Sequence, residues 1–69
     1  MQGDGMVTFE CIDGKSEKFY APCIIGIFAL DEDNVTMLIV EHGSDSYRRA
    51  HYVKGSYADV FRRIAEVLL

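Results

Sequence analysis

Two apolar runs separated by only four polar residues constrain this chain more than anything else in it. Residues 24–30 read Ile-Ile-Gly-Ile-Phe-Ala-Leu, residues 35–40 read Val-Thr-Met-Leu-Ile-Val, and Asp31-Glu32-Asp33-Asn34 lies between them. Runs this short, rich in β-branched residues and bounded by turn formers, predict two strands of an antiparallel hairpin rather than helices. Alternation places Ile25, Ile27 and Ala29 on one face and Ile24, Phe28 and Leu30 on the other. In the second run Val35, Met37 and Ile39 oppose Leu38 and Val40. An antiparallel sheet with one wet face normally carries polar residues there. These strands are apolar on both faces, so both faces demand a cover.

Chain length sharpens that demand. Sixty-nine residues make one domain at most, and so short a chain buries only about 60% of the surface it exposes when unfolded. Leaving four or five large apolar side chains in water forfeits about 1.5–3 kcal/mol each. That is comparable to the whole stability of a small domain, about 5–15 kcal/mol. Two covers are available: strong curvature of the sheet into a partial barrel, or a second copy of the chain. The expectation is a homo-oligomer, dimer or larger, formed through Ile24, Phe28, Leu30, Leu38 and Val40. A curled monomer is the competing reading.

The flanking segments complete the plan. Residues 1–5 are polar and glycine-rich, which predicts a flexible N-terminus ahead of a single domain over residues 6–69. Val7, Phe9 and Cys11 alternate with Thr8 and Glu10, as in a half-buried strand. Asp13-Gly14 then predicts a two-residue type I′ turn, since both residues tolerate positive φ. Residues 15–20 return as a polar strand suited to a sheet edge. Pro22 lacks an N–H and marks a corner. Gly43-Ser44-Asp45 predicts another turn, and residues 46–53 a mixed strand with Tyr47, Arg49, His51 and Val53 on one face. At the end the period changes. Ser56 stands three residues before Asp59, a weak capping box, and Val60, Phe61, Ile64, Val67 and Leu68 fall on one helical stripe, leaving Arg62, Arg63 and Glu66 wet. The predicted fold is α+β: an antiparallel five-stranded curved sheet, a partial barrel, with one C-terminal helix packed on it.

Composition narrows function by exclusion. No run approaches the 18 or so apolar residues of a membrane span, and two cysteines without a basic-plus-apolar leader predict reduced thiols in the cytoplasm. Cys11, Cys23, His42 and His51 are metal-ligand types, but no C-x₂-C or H-x₃-H spacing joins them; they read as core thiols and surface imidazoles, with no metal and no cofactor. No nucleophile elbow or phosphate loop is present, and a non-enzymatic protein is expected. Net charge is −4 but uneven: nine acids face Lys15 and Lys18 in residues 1–45, whereas five bases face Asp59 and Glu66 in residues 46–69. Tyr47-Arg48-Arg49-Ala50-His51-Tyr52-Val53-Lys54 interleaves bases with aromatics, a surface on which nucleic-acid bases could stack. Arg48, Arg49, Lys54, Arg62 and Arg63 are therefore the candidate nucleic-acid contacts. The competing reading, which the acidic total favours, is that these cations pair with the acidic half of the chain.

The order of these features resembles the flagellar and swarming-motility (FlbD) family of short bacterial proteins. The resemblance is carried by Ile12-Asp13-Gly14, Ile24 and Ile27, Asn34-Val35-Thr36-Met37-Leu38, Gly43, and Val53 followed by Ser56-Tyr57 and Asp59-Val60, over residues 6–68. It implies a sheet-plus-helix plan, a bacterial source, and no catalytic residues. Similar small proteins occur in phages and mobile elements, so a protein acting on a host partner is the alternative it leaves open. Together these readings point to a small protein-interaction or regulatory module that self-associates and binds a protein partner not identified by its residues. The alternative is a regulator contacting nucleic acid through the basic half.

Overall fold

The computed structural model describes residues 4–31, 34–43 and 47–69. Five strands precede one helix: β1 (Met6–Glu10), β2 (Ser16–Tyr20), β3 (Ile24–Ala29), β4 (Val35–His42), β5 (Tyr47–Lys54) and α1 (Tyr57–Leu68), with a 3₁₀ turn at Ala21–Cys23 between β2 and β3. The fold is α+β and every pairing between named strands is antiparallel. The strands do not form one curved five-stranded sheet. They form a two-stranded sheet, β1-β2, and a three-stranded sheet, β3-β4-β5. Ala21-Pro22-Cys23 is the cause: a 3₁₀ turn with proline in its first positions breaks the pairing that would have joined β2 to β3. The sheets touch at one corner, where Cys11 bridges Val53 and Ile12 N–H donates to the Tyr52 carbonyl at 3.0 Å.

The first hairpin differs from a type I′ turn. Cys11 N–H donates to Lys15 O and Gly14 N–H to Cys11 O, at 2.8 and 2.9 Å, enclosing a three-residue loop. Gly14 alone has positive φ there, +90°, while the Asp13 carboxylate accepts the Lys15 N–H at 2.9 Å. An aspartate that can bond the backbone two residues on has no need of the left-handed conformation. At the other end, Asp4 and Gly5, part of the expected flexible terminus, are tied down: Gly5 O accepts the Ala21 N–H at 2.8 Å. Residues 1–3 of that expectation lie outside the described residues, as do Ser44 and Asp45 of the expected turn after Gly43.

The core lies between the two sheets and under the helix. Val7, Phe9 and Phe19 of the hairpin, Leu38 and Val40 of β4, Val53 of β5, and Val60 and Ile64 of α1 are all buried in one cluster. Thr36 is buried with them; its hydroxyl donates to the Gly55 carbonyl at 2.9 Å and fixes the point where β5 ends and the helix begins. Gly55 has φ of +133°, a value that only glycine adopts readily. Helix α1 starts as expected, with Ser56 Oγ accepting the Asp59 N–H at 3.2 Å. Its core face is narrower than the apolar stripe. Val60 and Ile64 are buried and Val67 packs against the core, but Phe61 and Leu68 remain half exposed. Nor is Arg63 simply wet: its guanidinium lies 4.5 Å from the centre of the Phe9 ring and donates to the Thr8 carbonyl at 2.6 Å.

One irregularity decides which face each residue of β3 occupies. The register runs Ile24 opposite Val40 and then Gly26 opposite Ile39, so Ile25 is an extra residue in a bulge. The bulge brings Ile24 and Ile27 onto the same, inward face, where both pack against the core. Strict alternation would have separated them.

Candidate interaction surface

The inner face of the three-stranded sheet is covered, because the β1-β2 hairpin and α1 lie on that side and share its core. The outer face is built by the register in rows across the sheet. Phe28, Met37 and Tyr52 form one row; Gly26, Ile39 and Ala50 form the next; Glu41 and Arg48 pair beyond them. Phe28 and Tyr52 are 49% and 41% exposed, and Ile25 in the bulge is 48% exposed. Val35, Met37 and Ile39 beside them are half-buried. Among the described residues no element lies over this surface. Phe28 folds back across Gly26, whose missing side chain leaves room for the ring: a Cβ there would stand 2.7 Å from Phe28 Cε2. The result is an apolar ridge along β3 with one acid and one base at one end.

The five residues expected to form the association face do not share one face. Leu38 and Val40 are 0% and 3% exposed and belong to the core. Ile24 packs beside them, carried inward by the bulge. Phe28 is on the outer face, and Leu30 is half-buried just beyond the end of β3. The expectation of an uncovered apolar face therefore moves to Ile25, Phe28, Met37, Ile39 and Tyr52. Gly26 was the signal for the shift, since glycine inside an apolar strand marks a bulge.

The five basic residues are not gathered into one surface either. Arg48 and Arg49 are consecutive in β5 and leave opposite faces of the sheet. Arg49 donates to Tyr47 Oη at 3.1 Å. Lys54 pairs with Glu10 at 3.2 Å and Arg62 with Asp59 at 3.3 Å, while Arg63 is engaged over Phe9. Exposed contacts of this kind contribute little stability, but they engage Arg49, Lys54, Arg62 and Arg63.

The remaining reactive side chains lie on the other side of the sheet, at its open end. His42 and His51 face one another with Nε2 atoms 3.3 Å apart, and His51 Nδ1 is 3.9 Å from Glu17 Oε1. Phe19 packs edge-on against the His51 ring at 4.9 Å. Burial pushes the His51 imidazole below its ordinary pKa; Glu17 opposes that shift, while His42 and Arg49 reinforce it. Beside the pair a groove of about 260 Å³ runs between Phe19, Tyr20, Cys23, Val40 and His42, slightly below the usual range for small-molecule pockets, about 300–1,000 Å³. The Cys11 thiol is pushed up by burial and then by the Glu17 and Asp13 carboxylates, which disfavours the thiolate that nucleophilic or redox chemistry needs. Among the described residues no helix is long and apolar enough to cross a membrane. Comparisons of the chain with family models, with curated proteins and with solved structures found no match.

Proposed function

We propose that this chain is a small non-enzymatic interaction module that self-associates through the outer face of β3-β4-β5. One observation carries the reading: the row Phe28, Met37, Tyr52 and the neighbouring Ile25 and Ile39 form an apolar sheet face with nothing over it among the described residues. Half-exposed side chains of this size each stand to gain roughly 1 kcal/mol on burial. A second copy suits the face because Glu41 and Arg48 stand opposite each other on it. A two-fold axis lying in the interface and running along the strands between β4 and β5 would set the acid of one copy over the base of the other. Three strands about 4.8 Å apart and up to eight residues long give a footprint of roughly 14 by 26 Å, below the range of stable specific interfaces, about 1,200–2,000 Å² in total. The dimer expected is accordingly a weak one. Bacterial and cytoplasmic, as the FlbD resemblance and the cysteine usage suggest, such a module regulates or scaffolds a protein partner. Whether that partner belongs to the same cell or to the host of a phage does not alter the surface used. The dispersal of the five basic residues, and the ion pairs of Lys54 and Arg62, weigh against the nucleic-acid alternative.

Sedimentation across a concentration series tests the reading. The expected result is a monomer–dimer equilibrium that Phe28→Asp and Met37→Asp abolish while the far-ultraviolet circular dichroism stays unchanged. A strict monomer at high micromolar concentration, or a dimer indifferent to both substitutions, overturns it.

A further inference from the structure

We propose that His42 and His51 form a two-imidazole binding site for a divalent transition-metal ion of the zinc class. The proposal is independent of self-association, since the pair lies on the inner side of the sheet, away from the Phe28 row.

Nothing in the spacing of the two residues suggests a site. His42 ends β4 opposite Tyr47, and His51 lies opposite Leu38 in β5. Both point to the inner side, and their rings reach along the strands until the Nε2 atoms are 3.3 Å apart. That separation has a chemical meaning. Two nitrogens each about 2.0–2.1 Å from a tetrahedral ion stand roughly 3.3–3.4 Å apart. The imidazoles thus already stand at the separation of two ligands on one zinc, and with the proton of each neutral ring on Nδ1 both Nε2 lone pairs are free for the ion.

A carboxylate stands near the other nitrogen of His51, at 3.9 Å and so beyond a direct hydrogen bond. Metal-binding histidines typically donate their other N–H to a carboxylate or carbonyl, which leaves the lone pair on the ligating nitrogen. Glu17 Oε1 is 3.9 Å from His51 Nδ1, on the side away from His42. The His51 ring is held by the edge contact with Phe19, and its side chain is only 12% exposed. His42 is exposed and leaves the pair open to solvent. Arg49 is a cation facing His51 and weakens attraction for an ion, whereas Glu17 strengthens it. Among the described residues no third His, Cys, Asp or Glu converges on the pair. Two coordination positions therefore remain for water or for a donor from a bound molecule, and the site is labile rather than a closed structural one. Imidazole ligands select zinc, copper, nickel or cobalt over magnesium and calcium.

The test is a titration of the metal-free full chain with Zn²⁺ against a chromophoric chelator at neutral pH, with Mg²⁺ as the control. One zinc per chain with micromolar affinity is expected, and no competition by Mg²⁺. His42→Ala and His51→Ala should each weaken binding by about tenfold or more, and Glu17→Gln by a smaller factor, as loss of a supporting carboxylate does. On the unsubstituted chain, imidazole nitrogen NMR should show zinc moving the Nε2 resonances of both histidines and leaving both Nδ1 protonated, a readout that does not depend on a variant folding. No zinc binding at millimolar metal overturns the proposal. So does undiminished binding in the double variant, which would place the ion on Cys11, Cys23 or elsewhere.

Discussion

Phe28 lies over Gly26, and the two define the outer surface of the sheet: a Cβ on Gly26 would meet Phe28 Cε2 at 2.7 Å and Phe28 Cζ at 3.2 Å. Gly26→Ala is expected to lift the ring off the strand rather than break the fold, because the obstructing atoms are the free end of a half-exposed side chain. Its stability should fall by roughly 1 kcal/mol or less, while self-association changes more than stability does. Unfolding midpoints and sedimentation on the same sample separate the two effects. A loss of several kcal/mol would mean that the ring is part of the core.

Leu38 and Phe28 belong to opposite sides of the same sheet, and truncation distinguishes them. Leu38→Ala opens a cavity beneath α1 and should destabilise the chain by about 2–5 kcal/mol. Phe28→Ala should cost much less and reduce dimer formation instead. Urea denaturation of the two variants at low concentration provides the comparison, and equal losses would contradict the assigned faces.

The junction between β5 and α1 depends on Thr36 and Gly55. Gly55→Ala combines a φ of +133° with a Cβ 3.1 Å from Val60 Cγ2, and a loss of about 1–3 kcal/mol is expected. Thr36→Val removes the hydroxyl that donates to the Gly55 carbonyl, for a similar loss of about 1–3 kcal/mol. Because the two share one contact, the double variant should lose less than both single losses together. Strict additivity in a thermal-denaturation cycle would show that the hydrogen bond does not position the helix.

Stability should fall below neutral pH because of His51. Its pKa in the folded chain is depressed from 6.5, first by burial, with His42 and Arg49 acting in the same direction and Glu17 in the other. In the window between the folded value and 6.5 the unfolded chain binds more protons, so stability present above 6.5 is lost as pH falls through the folded value. His51→Gln should remove that part of the pH dependence and leave the carboxylate contribution at lower pH. An unchanged slope between neutral and mildly acidic pH would sink this assignment.

The two thiols should differ in reactivity. Cys11 is buried, and its pKa is raised by that burial and by Glu17 and Asp13, while Cys23 is only half-buried beside the groove. Disulfide exchange with an aromatic reagent at neutral pH should therefore modify Cys23 first, as single serine variants would reveal. Rapid labelling of Cys11 in the native chain is the contrary result.

Local chemistry made the elements legible. Pro22 announced the corner, Ser56 the helix start, and the two apolar runs their hairpin, because each depends on neighbours within a few residues. What required the whole fold was less visible. Breaking the five strands into two sheets follows from the 3₁₀ turn, whose effect is to withhold β2 from β3. The inward turn of Ile24 follows from a bulge that Gly26 permits but does not by itself demand. The approach of His42 to His51 arises from how two strands carry their rings toward one another, a distance with no counterpart in a nine-residue separation along the chain.

The bulge at Ile25 means that β3 is written in two reading frames: residues before it obey one parity and residues after it the other. Gaining or losing one residue at that point would exchange the side chains presented to the world for those owed to the interior over half a strand, leaving β4 and β5 as they are. In so small a chain, the identity of the partner-facing surface hangs on a single position of backbone count.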